Sequence, residues 1–234
     1  MSDTVVTMQA RDGKRKRLPE EVASHVRELI ISGQVRPGEF LRIEPIAAAV
    51  GVSNTPVREG LVSLRSEGFV QLVPRRGFVV APFTRQDVRD LFWTQARLAG
   101  ELAARAATKI TGERIVRLET ILEEHETAIS VGDEGRIADL GHAFHREINL
   151  AAGSHRLTLL LNSVVQRVPN RFYAAIEGHV AATRHEHPLL LDALCRGKAH
   201  EARSLMQQHI AEGADHLVDI LEERGLWSRQ ESAS

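Results

Sequence analysis

Two kinds of periodicity divide this chain near residue 83. Before that point, short apolar stripes at helical spacing lead into a pair of β-patterned runs; after it, every apolar repeat is helical. Pro19 to Ser32 is predicted as a first helix on the stripe Val22, Val26, Leu29 and Ile30, with Gly33 ending it and Arg36-Pro37-Gly38 forming a turn. A short helix from Pro45 to Val50 leads into a tight turn at Gly51. Ser53 is suited to cap the next helix, and Thr55 and Pro56 fill a first turn where a missing N–H costs little. Val57, Leu61 and Leu64 give that helix one apolar face, and Gly68 stops it. The runs Phe69 to Val73 and Phe78 to Ala81 then flank Pro74-Arg75-Arg76-Gly77, a hairpin tipped with two guanidiniums.

From Thr84 the pattern predicts an antiparallel bundle. Thr84 and Asp87 resemble a capping box for a helix to about Lys109, with Val88, Leu91, Leu98 and Leu102 on one face. Thr111-Gly112 separates it from a helix carrying Ile115, Leu118, Ile121 and Leu122. Gly132-Asp133 precedes a third, about Glu134 to Ala152. Gly153-Ser154 opens a fourth, interrupted near Pro169 and then running to about Gly178; the last two span about Pro188 to Arg196 and Lys198 to Arg224. The fold class is therefore mainly α: an N-terminal winged helix-turn-helix followed by an all-α bundle. The expected boundaries are a flexible basic arm at 1–17, the winged helix at 18–82, the bundle at 84–226 and a tail at 227–234.

Charge supports that division. The 234 residues carry a formal net charge of −1, yet residues 1–85 hold 13 Lys and Arg against 9 Asp and Glu, and the remainder 17 against 22. A basic front and an acidic rear suit one module on phosphates and another facing away. The single cysteine, Cys195, excludes an intrachain disulfide and fits a reducing cytoplasm. Residues 1–17 end in Lys14-Arg15-Lys16-Arg17 with no signal-peptide core, and no apolar run approaches a membrane span. A cytoplasmic protein with no membrane partner is expected.

Asn54, Thr55 and Arg58 fall on the polar face at the helix N-terminus, where a helix laid in the major groove meets base edges. The order ISGQVRPGEFL, IAAAVGVSNTPVREGLVSLRSEGFV and PRRGFVV resembles the DNA-binding domain of the GntR family of bacterial transcription regulators. That resemblance implies DNA contacts from Ser53, Asn54, Thr55 and Arg58, and from Arg76 and Gly77 in the wing beside Arg75. Asn54 stands where the family very often has arginine, and Glu44 where some members have a basic residue. Asparagine pairs best with adenine, and such a contact is worth about 1–3 kcal/mol of discrimination. The competing reading makes Asn54 a second capping residue touching only phosphate.

Ten of the 11 histidines lie beyond residue 120. His145, His187 and His209 sit in FHREI, EHPLL and MQQHI on three helices; three imidazoles converging in a bundle can hold a divalent metal, while the default reading of such spacing is a buried, hydrogen-bonded core. Their order resembles the effector-binding domain of the FadR-type branch of GntR regulators. The resemblance implies a metal (Zn, Ni or Mn) on His145, His187 and His209, with a small carboxylate bound against it. The aspartate expected four residues before the first histidine is here Gly141, and Asp139, about 600° around the helix from His145, points away from it. His142, three residues before His145, is the nearest substitute.

The same resemblance implies that Arg97, on the first bundle helix, holds an anionic effector beside the three histidines, a role that suits its bidentate fork; the alternative is an i,i+4 pair with Glu101 worth about 0.3–0.5 kcal/mol. The expected protein is a non-enzymatic regulator released from a pseudo-palindromic double-stranded operator by a small organic acid, and the resemblance implies that it is a homodimer and a repressor. A metal-dependent hydrolase and an architectural DNA-binding protein are the rival classes.

Overall fold

The computed structural model describes residues 18–169, 180–223 and 225–227. They form two compact units, one of residues 18–84 with 221–223 and 225–227 and one of residues 85–169 with 180–220.

The first unit opens with α1 (residues 18–31), followed by β1 (Phe40–Leu41), α2 (Ile43–Val50) and α3 (Asn54–Ser66). The wing strands β2 (Val70–Val73) and β3 (Gly77–Val80) complete it. The sheet has the order β1-β3-β2, with both pairings antiparallel and Phe78 opposite Leu41 on one side and Leu72 on the other. β1 was not foreseen, because two residues carry no alternation to read. α2 begins two residues before the expected Pro45 and ends at Gly51, whose φ of +74° turns the chain toward α3.

Val22, Val26 and Ile30 of α1 and Val57, Leu61 and Leu64 of α3 are buried together with Phe78 and Val80. α1 and α3 approach so closely at Gly60 that an added Cβ would stand 2.7 Å from the Pro19 carbonyl oxygen. Arg27, only 3% exposed, donates to Glu67 at 2.8 and 3.2 Å, tying α1 to the end of α3. Such a buried pair fixes geometry more than it adds stability. Trp227 donates its indole N–H to the Phe83 carbonyl at 2.7 Å. Residues 221–223 and 225–227 thus group with the first unit.

The second unit contains α4 (Arg85–Ala107), α5 (Gly112–Val131), α6 (Glu134–Ala151), α7 (His155–Val165), α8 (Val180–Cys195) and α9 (Ala199–Glu223). Leu102, Leu118, Phe144, Ile148, Leu190, Leu194 and Met206 make its core. Asp133 caps α6 by accepting the Arg136 N–H at 3.0 Å, just after Gly132 closes α5 at φ +71°. The buried face of α4 is mostly alanine, with Ala96, Ala99, Ala103, Ala106 and Ala107, so neighbouring helices come close. Glu147, 6% exposed, is held by Arg114 at 2.9 Å and Arg117 at 3.2 Å.

α8 departs from the sequence reading. Pro188 lies inside the helix rather than at its start. Its missing N–H costs a helical hydrogen bond, and the helix continues because His187 and Leu190 on either side are buried. The segment expected to run from Pro169 to about Gly178 lies outside the described residues beyond 169. Among the described residues, no helix is long and apolar enough to cross a membrane.

A histidine cluster and a candidate DNA-reading surface

The winged unit places its polar residues as the sequence suggested. Ser53, with extended backbone (φ −78°, ψ 171°), is the N-cap position of α3, but its side chain makes no capping hydrogen bond. Ser53, Asn54, Thr55 and Arg58 are exposed, while Val57, Gly60, Leu61 and Leu64 turn inward. The positive end of the helix dipole adds to the attraction for phosphate there. In the wing, the Arg76 amide donates to the Val73 carbonyl at 3.0 Å, closing a turn over Pro74 and Arg75. Arg75 holds φ +64°, a conformation that costs a non-glycine residue about 1 kcal/mol. Gly77, the last wing residue, takes φ +102°. The Arg76 guanidinium lies 4.6 Å from the centre of the Phe40 ring, so the unforeseen β1 steadies the wing.

In the bundle, α6, α8 and α9 bring His145, His187 and His209 together, with one ligand nitrogen of each within 4.8 Å of the others. His209 Nε2 is 3.3 Å from His187 Nε2 and 3.1 Å from His145 Nε2. Two nitrogens bound at about 2.05 Å to one zinc stand about 3.3 Å apart at a tetrahedral angle and about 2.9 Å apart at a right angle. Both separations from His209 fall in that interval, so the donor set and its spacing around His209 suit a divalent ion.

Glu186 strengthens the fit. Its carboxylate accepts from His209 Nδ1 at 2.7 Å, which leaves the His209 lone pair on Nε2, the atom turned to the other two rings. The same hydrogen bond holds the Glu186 carboxyl below its ordinary value. His187, 1% exposed, stacks on Phe144 with ring centres 4.4 Å apart, which fixes its plane. His125, 4% exposed, lies behind it with ring centres at 6.2 Å. Sequence reasoning missed Glu186 and His125, although Glu186 directly precedes the second histidine.

A cavity of about 80 Å³ borders the cluster. Its wall is a set of one-face stripes: Phe92, Gln95 and Ala99 from α4; His142, His145 and Asn149 from α6; Leu161 and Val165 from α7; His209, Ile210 and Gly213 from α9. Gly141 is buried one turn before His145 and offers no ligand atom.

Arg97 is not in this wall, which corrects the expectation that it shares a cavity with the histidines. It is exposed, about 200° around α4 from Gln95. It lines a separate surface groove with Trp93 and Arg89, where its Nη1 donates to Gln207 at 3.3 Å. Nor does Glu101 pair with it: Glu101 accepts from Arg105 at 2.8 Å and Arg203 at 2.7 Å.

The chain matches the family model "FCD domain" over residues 90–212 and "Bacterial regulatory proteins, gntR family" over residues 18–80. It belongs to the FCD-domain members of the gntR family of bacterial regulatory proteins. It is 28% identical to the Glc operon transcriptional activator of Escherichia coli (strain K12), over 88% of this chain and 91% of that one. It is 22% identical to the HTH-type transcriptional repressor RspR of the same organism, over 97% and 100%. Its fold is that of the solved E. coli McbR/YncC structure, at a TM-score of 0.61 and 22% identity over 89% of this chain and 98% of that one. The protein is a transcriptional regulator with a DNA-binding gntR domain and an FCD effector-binding domain, not an enzyme, which removes the hydrolase alternative.

Proposed function

We propose that the protein is a homodimeric repressor that grips a pseudo-palindromic operator through two winged helices and releases it when a small carboxylate enters the bundle cavity. The single observation that carries this reading is the cavity itself, lined by four helices with His145 and His209 in its wall. An architectural DNA-binding protein would fill that space with apolar side chains.

On the DNA, α3 lies in the major groove with Asn54 reading an adenine and Ser53, Thr55 and Arg58 completing the contacts. Arg75, Arg76 and Gly77 meet the adjoining backbone from the wing. Protein two-fold symmetry is mirrored in the half-sites. In the bundle, His145, His187 and His209 hold a divalent ion (Zn, Ni or Mn), with Glu186 orienting His209. When bound, such an ion supplies a positive centre that draws a carboxylate oxygen to the cavity. Gly141 leaves a coordination position open to effector or water.

Effector binding beside His209 changes how the two winged helices of the dimer are presented to the operator. Operator affinity falls because both half-sites are no longer engaged together. Repression is favoured over activation because the relative named a repressor matches this chain over more of its length than the activator does.

A gel-shift titration of the full chain on its own upstream DNA tests the reading. Release by at least one short organic acid, abolished in a His145→Ala variant that still binds DNA, supports it. Operator affinity indifferent to every acid contradicts the effector half.

A further inference from the structure

Asn149 distinguishes this cavity from a purely apolar pocket. It stands one helical turn beyond His145 on the same stripe of α6 and is 8% exposed. Its side-chain oxygen has no hydrogen-bond partner among the described residues. A buried acceptor left unsatisfied is costly, so a native site that keeps one has a reason for it. The second amide in the wall is Gln95, 2% exposed. Phe92, Ala99, Leu161, Val165 and Ile210 supply the rest of the far wall, and no lysine or arginine is among the described lining residues.

From this wall we infer that the effector is a short monocarboxylic acid bearing a hydroxyl, with its carboxylate at the histidine end and its hydroxyl donating to Asn149. The inference rests on the effector reading of the same cavity and narrows it. His142, three residues before His145, lies toward the other end of the α6 stripe from Asn149, so a second carboxylate at the Asn149 end would meet apolar side chains and neutral amides, where an unpaired charge is expensive. A hydroxyl instead supplies the one donor that Asn149 lacks. Size points the same way: the cavity, about 80 Å³, is smaller than the ~150 Å³ space that takes benzene, so a short acid is favoured over a long one.

The test is isothermal titration of the full-length, zinc-loaded protein with three four-carbon acids: butyrate, 3-hydroxybutyrate (both enantiomers) and succinate. One enantiomer of 3-hydroxybutyrate is expected to bind about three- to tenfold tighter than butyrate, the range of one hydrogen bond. Succinate is expected to bind weaker than both. In Asn149→Leu the hydroxy acid loses its advantage while butyrate changes by less than about twofold. Succinate binding as tightly as the hydroxy acid overturns the inference and leaves the effector site standing. So does an Asn149→Leu variant that keeps the hydroxyl preference, or that weakens both monoacids alike. If that variant fails to fold, the order of the three acids on the unmodified protein decides alone. Failure of all three to bind at millimolar concentration overturns the inference together with the effector reading beneath it.

Discussion

Replacing Glu186 by glutamine removes a charge without removing a ligand, and so isolates the second layer of the histidine cluster. Glu186 Oε2 accepts from His209 Nδ1 at 2.7 Å, and the carboxyl is only 17% exposed. That contact sets the tautomer and plane of His209 and raises the basicity of Nε2. Loss of such an outer partner typically costs 10- to 100-fold in metal affinity, or about 1.4–2.8 kcal/mol. The control is Glu126→Gln, which deletes an exposed carboxylate paired with Arg184 of α8 across from α5. Competition against a chromophoric chelator at neutral pH reads zinc affinity for the two variants and the parent. Glu186→Gln is expected to weaken zinc by one to two orders of magnitude and Glu126→Gln by less than about twofold. Equal effects would mean that general charge, and not the hydrogen bond to His209, governs the site, and the reasoning would be refuted.

Three further outcomes follow from the packing and the polar face. Gly60→Ala places a Cβ 2.7 Å from the Pro19 carbonyl and 2.9 Å from Val22 Cγ1; overpacking of about 1–3 kcal/mol exceeds the ~1 kcal/mol gain in helix propensity. Gly135→Ala, at an exposed position of α6, meets nothing nearer than 3.6 Å, so urea melts should show it stabilised by about 0.5–1 kcal/mol while Gly60→Ala loses stability; both variants gaining would contradict the close α1–α3 crossing. Asn54→Arg should move the preferred base under that position from adenine to guanine in a binding-site selection, and an unchanged preference would mean that residue 54 does not read bases. Glu101→Gln breaks the exposed pairs with Arg105 and Arg203, each worth about 0.2–1 kcal/mol. Because those hydrogen bonds lower the folded-state pKa of Glu101, its contribution is full above the ordinary carboxylate value and disappears as pH falls through the lowered one. Parent and variant melting temperatures should therefore differ at pH 7 and converge in acid.

Much of this was legible in the residues, and the exceptions share a cause. The winged helix could be read because Val57, Leu61 and Leu64 sit at helical spacing and the hairpin has Pro74 and Gly77 at its turn. The three histidines were found by their order along the chain, and their convergence needed no more than one face per helix. Arg97 was misplaced because the inward stripe of α4 is Phe92, Gln95 and Ala99, where alanine and glutamine give too little hydrophobic contrast to mark a face. Pro188 was read as a helix start because local propensity says so, whereas burial of His187 and Leu190 carries the helix through it. Glu186 and Asn149 acquire meaning only through partners brought near, or withheld, by tertiary packing.

The most direct test of the central claim is fluorescence anisotropy of the full chain on labelled fragments of its own upstream DNA, with excess unrelated duplex present. The account requires one fragment to be preferred, two chains per site, and an Arg58→Ala variant that folds normally but loses about tenfold or more in affinity for it. No preferred fragment, or undiminished binding by Arg58→Ala, would contradict the assignment of α3 and the wing as the reading surface.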